Sequence, residues 1–307
     1  MSSTLTEHYR YLAMSGRTEA YRRALRAIVE KGDVVADLGC GFGILGMLAL
    51  EAGASHCYGI DHSRAAHIAR ETVRRKGLED RFTVIHGSTF EVDLPEQVDL
   101  ILCDHIGHFG VDYGIARLME DARRRFLKPG GRMMPQNLRV DVALARNPKG
   151  RGRIHRWQRE GIPDAYRWLD ELEVNELMPL RMTAEDLLSA GAPVAELDFA
   201  QQPSSTFALS TRLVAQCDAL VDGLCGYFSC KLAPQITLTN DPRDAQAIPR
   251  STILLPTREP FAVREGEEVE VSLSIRDDPW VVSWALTPPG GEKQQMSTLN
   301  AAALTRG

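Results

Sequence analysis

The fold is decided by one ten-residue stretch, Val34-Val35-Ala36-Asp37-Leu38-Gly39-Cys40-Gly41-Phe42-Gly43. Its apolar start predicts a buried strand. Its three glycines predict a tight turn that a ligand can approach closely, because glycine lacks a Cβ and accepts positive φ. The apolar residues 44–52 then predict a helix, and a second predicted strand ends at Asp61. This order of strand, glycine turn, helix and strand is typical of the nucleotide-binding start of an α/β, doubly wound sheet.

The glycine spacing and one acidic residue indicate which ligand the turn would bind. Dinucleotide folds place a pyrophosphate on G-x-G-x-x-G, whereas the spacing here is G-x-G-x-G. Asp37, just before the turn, would repel a pyrophosphate but suits a ligand that carries an amino group. S-adenosylmethionine (SAM) has a sulfonium and an α-ammonium, and its ribose diol suits the carboxylate of Asp61. We therefore expect SAM rather than a nicotinamide or flavin dinucleotide, and a structural turn without a ligand is the remaining alternative.

Length and composition are those of an ordinary globular protein. The 307 residues allow two domains, and 44% are hydrophobic and 25% charged. A net charge of −5 gives no reason to expect nucleic acid or an anionic membrane as a partner. The six cysteines show no zinc-ligand spacing, so reduced thiols and no metal site are expected. The polar N-terminus and the lack of a long apolar run predict a cytoplasmic protein.

The chain is predicted to divide into three parts. Residues 1–30 are predicted as a helical segment. Residues 31–137 alternate short apolar runs with helices, which favours a Rossmann-like, mostly parallel sheet. The strands predicted there are 34–37, 56–60, 82–86, 98–103 and 132–136, with helices at 44–52, 64–76 and 115–126.

The third part, residues 138–307, is predicted as a β-barrel or sandwich that binds the substrate, because short strand-like runs are separated by Pro, Gly and Asp turns. Helices are predicted at 183–190 and 215–224, and the tail from residue 288 as a last strand or a mobile end. The basic segment 146–153 is interpreted as a solvated loop, with an anion-binding surface as the alternative. The strands predicted in this part are 138–144, 205–214, 227–232, 251–255 and 268–275.

Further segments in the chain resemble those of a known family, and the resemblance extends from about residue 8 to 284. They are Arg17-Thr18-Glu19-Ala20-Tyr21, the stretch from Asp37 to Leu45, the stretch from Val98 to Phe109, Leu127-Lys128-Pro129-Gly130-Gly131, and the stretch from Val221 to Phe228. In this order and spacing they resemble the protein arginine methyltransferases (PRMTs), a branch of the class I SAM-dependent methyltransferases. The resemblance implies a SAM-binding Rossmann-like domain followed by a PRMT-type β-barrel. It also implies a dimerisation arm near residues 160–180, around Trp168, and so a possible homodimer.

The resemblance also implies which residues contact SAM. Arg17 would grip the SAM carboxylate, and the N-terminal segment 1–30 would close over SAM with the help of His8 and Tyr11. Asp61 stands where the family has a ribose-binding glutamate, and Phe90 stands where it has a glutamate beside the adenine. The full set of expected cofactor-binding residues is His8, Tyr11, Arg17, Asp37, Gly39, Gly41, Gly43, Asp61, His62, Ser88, Thr89 and Phe90.

The two catalytic glutamates of the family fall on Asp104 and Tyr113, and its Thr-His-Trp loop falls on residues 247–249. We expect Asp104 to orient the nucleophile and His105 or His108 to accept a proton. Packing within the loop or exposure to solvent is the alternative for both histidines. The other candidate catalytic residues are Asp112 and Tyr113, for which a turn residue and a core aromatic are the alternatives.

The loss of one carboxylate bears on the substrate. A guanidinium stays protonated with delocalised lone pairs, and two carboxylates in the family localise its charge. With Tyr113 in place of one of them, we expect methyl transfer to a nitrogen or oxygen of a small metabolite or modified peptide, as in natural-product biosynthesis. One alternative is a true protein arginine methyltransferase that uses Asp104 and Asp112 as an adapted clamp. The other is a non-catalytic subunit with a SAM-binding fold.

Overall fold

Two N-terminal helices precede an α/β layer in the computed structural model, which describes residues 2–201 and 204–305. These helices, α1 (Ser2–Ala13) and α2 (Ser15–Ile28), confirm the helical prediction for this end of the chain. Tyr21, Ala24 and Leu25 of α2 are buried in the core, so α2 is a packed part of the fold. Among the described residues, no helix has both the length and the apolar character that crossing a bilayer requires.

The α/β layer is built on a five-stranded parallel sheet with the order β3-β2-β1-β4-β5. β1 is buried along its whole length, as expected for a strand covered on both faces by helices. The strand order reverses between β1 and β4, where doubly wound folds bind ligands. The elements are β1 (Val34–Leu38), α3 (Ile44–Ala52), β2 (His56–Asp61), α4 (Ala65–Arg75), β3 (Phe82–His86), β4 (Val98–Cys103), α5 (Ile115–Phe126) and β5 (Leu127–Met134).

The second half of the chain forms two antiparallel sheets of the barrel-like domain. One has the order β7-β12-β10-β6-β8, with β11 paired to β10, and the other has the order β15-β14-β13-β9. Its strands are β6 (Asn137–Ala145), β7 (Met178–Leu180), β8 (Ala192–Asp198), β9 (Thr206–Val214), β10 (Ala219–Ala233), β11 (Ile236–Thr239), β12 (Thr252–Val263), β13 (Glu268–Arg276), β14 (Val281–Thr287) and β15 (Gln294–Ser297). Its helices are α6 (Pro148–Ile154), α7 (Leu169–Glu173) and α8 (Thr298–Thr305).

The two helices predicted in this half are wrong. Residues 219–224 lie in β10, which pairs with β6 along one edge and with β12 along the other. These ladders satisfy the backbone groups of β10 and bury Val221 and Leu224, so tertiary pairing outweighs the local helical pattern. Residues 183–190 contain a short 3-10 turn at Ala184–Asp186 instead of a helix.

The interpretation of residues 146–153 as a solvated loop is also wrong. Helix α6 occupies most of this segment, and Asn147 caps it by accepting the Gly150 N–H at 2.8 Å. Arg151 is buried, with its Nε 3.3 Å from a carboxylate oxygen of Asp222 on β10. The tail contains β15 and α8, while residues 306–307 lie outside the described residues.

The two domains meet at the loop that follows β4, residues 104–114. Phe109 of this loop is fully buried against Gly226 of β10, at a position where a Cβ would collide with the ring. Gly110 has a φ of +81° and a Cβ position 3.1 Å from the Phe228 Cβ. Glycine is required here for both space and backbone conformation. The barrel-like domain therefore holds this loop against the carboxyl edge of the parallel sheet.

Candidate active site

Most of the candidate residues line one cleft at the carboxyl ends of β1, β2 and β4. It consists of an adenine-end cavity of about 360 Å³ and a central cavity of about 350 Å³, which have Gly39, Asp61 and His105 in common. We call these two cavities together the cofactor cleft. A third cavity, of about 730 Å³, adjoins it at Tyr11 and Tyr113 and is called the outer cavity.

The glycine turn forms one wall of the cleft. Gly39 and Gly41 have φ values of +65° and +54°, as the sequence predicted. A Cβ on Gly41 would lie 2.6 Å from the His8 ring, and that ring stacks on Phe42 with centroids 4.2 Å apart. Helix α1 thus closes directly onto the turn. Gly43, also predicted as a cofactor contact, instead packs its backbone against Phe82 and precedes α3.

Two buried polar atoms in the central cavity have no hydrogen-bond partner, Nη1 of Arg17 and Oδ1 of Asp37. The other oxygen of Asp37 accepts the Gly46 N–H at 2.9 Å. Burial raises the pKa of Asp37 to about 7. A free guanidinium donor and a free carboxylate acceptor in one cavity match the α-carboxylate and α-ammonium of an amino-acid ligand. The residues present therefore fit the methionine end of SAM.

Asp61 lies at the end of β2 in both cavities of the cleft. Its Oδ2 accepts the Gly41 N–H at 2.9 Å, and its Oδ1 accepts both the N–H and the hydroxyl of Ser63 at 2.8 and 2.6 Å. A carboxylate offers about four lone-pair sites, so Oδ2 can accept one further hydrogen bond. A ribose hydroxyl is a suitable donor for it.

Further along the cleft, the adenine-end cavity is lined by Ser88, Thr89 and Phe90 of the loop after β3, and by His62 after β2. Phe90 is partly exposed, and the Arg117 guanidinium lies over its ring at 4.8 Å from the centroid. All the predicted cofactor-binding residues except Gly43 thus line the cleft.

Asp104, expected to orient the nucleophile, lies in a buried ionic cluster. It accepts hydrogen bonds from the Arg17 guanidinium at 2.5 Å and from the Tyr21 hydroxyl at 2.9 Å. The Nη2 of Arg250 is 3.5 Å from its Oδ2. Burial alone would raise the pKa of Asp104, but the two guanidiniums outweigh burial and lower that pKa. Asp104 is therefore a charged carboxylate between two arginines.

The two candidate histidines lie on different sides of the loop. His105 lines both cavities of the cofactor cleft, where burial lowers its pKa. His108 lines the outer cavity, and its Nδ1 is 3.3 Å from the carbonyl oxygen of Ser251. Because a carbonyl only accepts hydrogen bonds, this contact assigns a proton to Nδ1, so that Nε2 carries the lone pair in the neutral form of the ring. Asn240 fixes the arrangement by donating to the carbonyls of both His108 and Ser251, at 2.9 and 2.8 Å.

Asp112 lies in the interior of the loop, whereas Tyr113 lines the cavities. Asp112 accepts the backbone N–H groups of His108 and Phe109 at 3.0 and 2.8 Å, and it lines none of the three cavities. Burial raises its pKa. It holds the loop in shape. Tyr113 is 44% exposed and lines all three cavities, so it stands where the cofactor cleft and the outer cavity join.

In sequence, the chain is similar to protein arginine methyltransferases. A family model described as a methyltransferase domain matches residues 35–131. The chain is 35% identical over 144 residues to probable protein arginine N-methyltransferase 6 of Arabidopsis thaliana. This match covers 46% of this chain and 33% of that protein. It is 36% identical over 139 residues to protein arginine N-methyltransferase 1 of Schizosaccharomyces pombe, and this match covers 44% of this chain and 41% of that protein. The matched part thus spans less than half of either curated relative.

Solved structures extend the similarity over nearly the whole chain. A chain of the Trypanosoma brucei PRMT1 enzyme–prozyme heterotetrameric complex with AdoHcy matches with a TM-score of 0.84 and 25% identity, covering 94% of this chain and 97% of that one. In sequence and in fold, the chain is therefore similar to the PRMT branch of the class I SAM-dependent methyltransferases. The fold alone is shared with Arabidopsis thaliana protein arginine methyltransferase 10, with a TM-score of 0.80, 21% identity and coverages of 94% and 96%. The predictions of a PRMT-like fold and of SAM as the cofactor are confirmed.

Three residues of this PRMT-like site were missed from the sequence. Tyr21 lies one helical turn after Arg17, and this i, i+4 spacing on α2 was a usable signal. Glu7 lies one turn before Tyr11 on α1 and lines both the central and the outer cavity. Arg250 follows residues 247–249, and nothing in the sequence pairs it with Asp104.

Proposed function

We propose that this protein transfers the methyl group of SAM to the guanidinium of an arginine side chain in a protein or peptide. Its relatives carry the name protein arginine N-methyltransferase, and its fold matches a PRMT1 complex over 94% of the chain. The small-metabolite acceptor, which the sequence favoured, has no support from these comparisons. The alternative of a true protein arginine methyltransferase fits them better.

The observation that carries the proposal is the junction between the cofactor cleft and the outer cavity. The two share Glu7, Tyr11 and Tyr113, so an acceptor that enters the outer cavity reaches the cofactor at these residues. The outer cavity, about 730 Å³, lies within the range of ordinary ligand pockets and is large enough for a long side chain with its neighbours. The Tyr113 ring is 44% exposed and can face a guanidinium, which favours a cation, whereas the Tyr11 ring already has Arg17 and Arg250 near it.

The charge of the site requires a second carboxylate in addition to Asp104. With Arg17 and Arg250, the buried cluster carries a net charge of about +1 by formal count, which disfavours another cation. Glu7 is at the junction and can offset this charge. We assign the carboxylate that binds the acceptor guanidinium to Glu7, because Asp112 is occupied by the loop backbone and Asp104 by Arg17, Tyr21 and Arg250.

The remaining chemistry is alignment and loss of a proton. SAM supplies a methyl group on a sulfonium, which is displaced in line once a nitrogen lone pair is aligned with it. His108 lines the outer cavity, and with Nδ1 on the Ser251 carbonyl the Nε2 of its neutral ring is suited to accept the proton that the methylated nitrogen loses. His105 lies on the cofactor side and is assigned to cofactor binding.

The test is incubation of the purified protein with methyl-labelled SAM and an arginine-rich peptide, followed by amino-acid analysis. A matched peptide with lysine at every arginine position is the control. Methylarginine in the first peptide, with no label in the second, is expected. Tight binding of S-adenosylhomocysteine without label in either peptide would instead support a non-catalytic SAM-binding subunit or a different acceptor.

We also propose self-association through the segment near residues 160–180. The Trypanosoma brucei neighbour belongs to a heterotetrameric complex. Tyr166 and Trp168 of this segment are 55% and 44% exposed, and α1 exposes Leu5, Tyr9 and Leu12 along one helical face. The molar mass of the wild-type protein and of Trp168→Ala in solution tests this, since a dimer should dissociate in the variant.

A further inference from the structure

The adenine end of the cofactor cleft is closed partly by the barrel-like domain. The loop between β13 and β14, residues 277–280, reaches across to the start of α5. Asp277 and Asp278 of this loop line the adenine-end cavity together with Ser88, Thr89 and Phe90 of the loop after β3. Residues far apart in the chain thus form the wall that an adenine base would contact.

A chain of three side chains holds this loop beside the cleft. The Nη1 of Arg117 is 2.6 Å from a carboxylate oxygen of Asp278, and the same guanidinium lies over the Phe90 ring. Both charged side chains are more than half exposed, so this ion pair stabilises the protein by about 1 kcal/mol or less. Its effect is to fix the position of the loop, and it leaves Asp277 to face the cavity.

Asp277 is the better placed of the two carboxylates for a ligand. Its backbone N–H donates to the Ser205 carbonyl at 2.9 Å, which anchors the residue. Its Oδ1 lies 3.9 Å from the position that a Cβ on Gly114 would occupy, at the start of α5. The side chain is half buried, and this burial raises its pKa, although the charge of Arg117 and a hydrogen bond from the Arg117 backbone N–H both lower it. A carboxylate in this position keeps acceptor capacity directed into the cavity.

We propose that Asp277 accepts a hydrogen bond from the exocyclic amino group of the SAM adenine. Phe90 offers no polar atom to that amino group, and Asp278 is engaged by Arg117. Among the described residues that line this cavity, Asp277 is the remaining carboxylate besides Asp61, which lies at the ribose end. Bound cofactor then connects the two domains. The inference rests on SAM as the cofactor and is independent of the identity of the methyl acceptor.

The test compares the dissociation constants of S-adenosylhomocysteine and of S-inosylhomocysteine, in which an oxygen replaces the amino group. Calorimetry on the wild-type protein should show a preference of about 10- to 100-fold for the adenosyl compound, the effect of one hydrogen bond to a charged group. In Asp277→Ala this preference should fall to about 3-fold or less. Asp278→Ala, on the same loop, is the matched control and should keep the preference.

The outcomes separate this inference from the assignment of the cofactor. If the wild-type protein binds neither compound, the cofactor assignment itself is wrong. If it binds both with equal affinity, the proposal for Asp277 is overturned without any variant. An unchanged preference in a folded Asp277→Ala protein also overturns it. Asp277→Asn keeps an acceptor oxygen and should show an intermediate preference, which distinguishes a contact with the base from a structural effect on the loop.

Discussion

The guanidinium of Arg250 and the carboxylate of Asp104 approach to 3.5 Å and connect the two domains inside the active site. Arg250 comes from the segment before β12, and it also donates to the carbonyl of Ile106 at 2.5 Å. Asp104 comes from the end of β4, and Arg17 reaches it from α2. The barrel-like domain, the parallel sheet and the N-terminal helices thus converge on one carboxylate. The negative charge of Asp104 therefore contributes both to the electrostatics of the active site and to the stability of the fold.

This cluster predicts unequal effects for its members. Asp104→Asn leaves two buried guanidiniums without a counter-charge and should lower the free energy of unfolding by about 3–5 kcal/mol. Arg250→Met leaves a neutral Arg17–Asp104 pair and loses the hydrogen bond to Ile106, which should cost about 1–3 kcal/mol. Urea unfolding at pH 7 measures both. Equal stabilities of Asp104→Asn and the wild-type protein would show that the cluster is not charged as described.

The buried carboxyl group of Asp37 makes the stability of the protein depend on pH. Its pKa is about 7 in the folded protein and 3.8 as the ordinary value, so the folded state holds the proton more tightly. Its contribution to stability is present below about pH 4 and is lost as the pH rises through 7. Asp37→Asn removes this loss and should raise the free energy of unfolding at pH 8 by up to about 4 kcal/mol, with little change at pH 4. Urea unfolding without cofactor at the two pH values tests it.

The same residue links pH to cofactor affinity. An ionised Asp37 suits the cofactor ammonium, so affinity for S-adenosylhomocysteine should weaken as the pH falls below about 7. Calorimetry should then record proton release on binding at pH 6. Asp37→Asn should lose this pH dependence and most of the affinity. An affinity independent of pH between 5.5 and 7 in the wild-type protein would contradict the assignment.

The sequence alone predicted those parts of the site that are formed by consecutive elements of the chain. The glycine turn, Asp37 and Asp61 are fixed by one strand, one turn and the next strand, and hydrophobic periodicity reports these directly. The pattern of residues 1–30 predicted the helices α1 and α2, and the PRMT resemblance placed His8 and Arg17 at the cleft. Helix was wrongly predicted within β10 because Val221 and Leu224 have helical spacing, while the ladders that bury them come from distant strands.

Long-range partners explain what the sequence did not predict. Asp104 was expected to be available to a nucleophile, but Arg250 and Arg17 bind it from other parts of the chain. His105 and His108 are three residues apart and were indistinguishable in sequence. They face different cavities because the loop after β4 is pinned by Phe109 in the barrel-like domain. The hydrophobic periodicity of a sequence carries no information on contacts between such distant segments.

Gly41 and Gly77 provide a matched pair for the glycine turn. Both have positive φ, +54° and +65°, so alanine at either should cost about 1 kcal/mol of backbone strain. A Cβ at Gly41 would meet the His8 ring at 2.6 Å, whereas at Gly77 no described atom lies within 4 Å. Gly41→Ala should therefore weaken binding of S-adenosylhomocysteine at least tenfold by displacing α1, and Gly77→Ala should leave it unchanged. Equal affinities in calorimetry would show that α1 does not close over the cofactor.

The two histidines should separate kinetically. His108→Ala should lower kcat on an arginine-rich peptide by about 10²- to 10⁴-fold, the range for loss of a proton acceptor, with unchanged affinity for S-adenosylhomocysteine. His105→Ala should chiefly weaken cofactor binding. Profiles of kcat against pH support the assignment if His108→Ala loses a pH-dependent limb that His105→Ala retains. The reverse pattern would move the proton acceptor to the cofactor side.

Glu7 tests whether this site still clamps a guanidinium without a carboxylate at residue 113. Glu7→Gln keeps the size of the side chain on α1 and removes the charge that offsets Arg17 and Arg250. We expect kcat/KM for an arginine-rich peptide to fall about tenfold, with unchanged affinity for S-adenosylhomocysteine, because the charge acts on the acceptor. Glu19→Gln is the control, since Glu19 lies on the exposed side of α2 and pairs with Arg22. If both variants turn over the peptide as the wild-type protein does, the acceptor is bound without Glu7 and the clamp has to be sought at Tyr113.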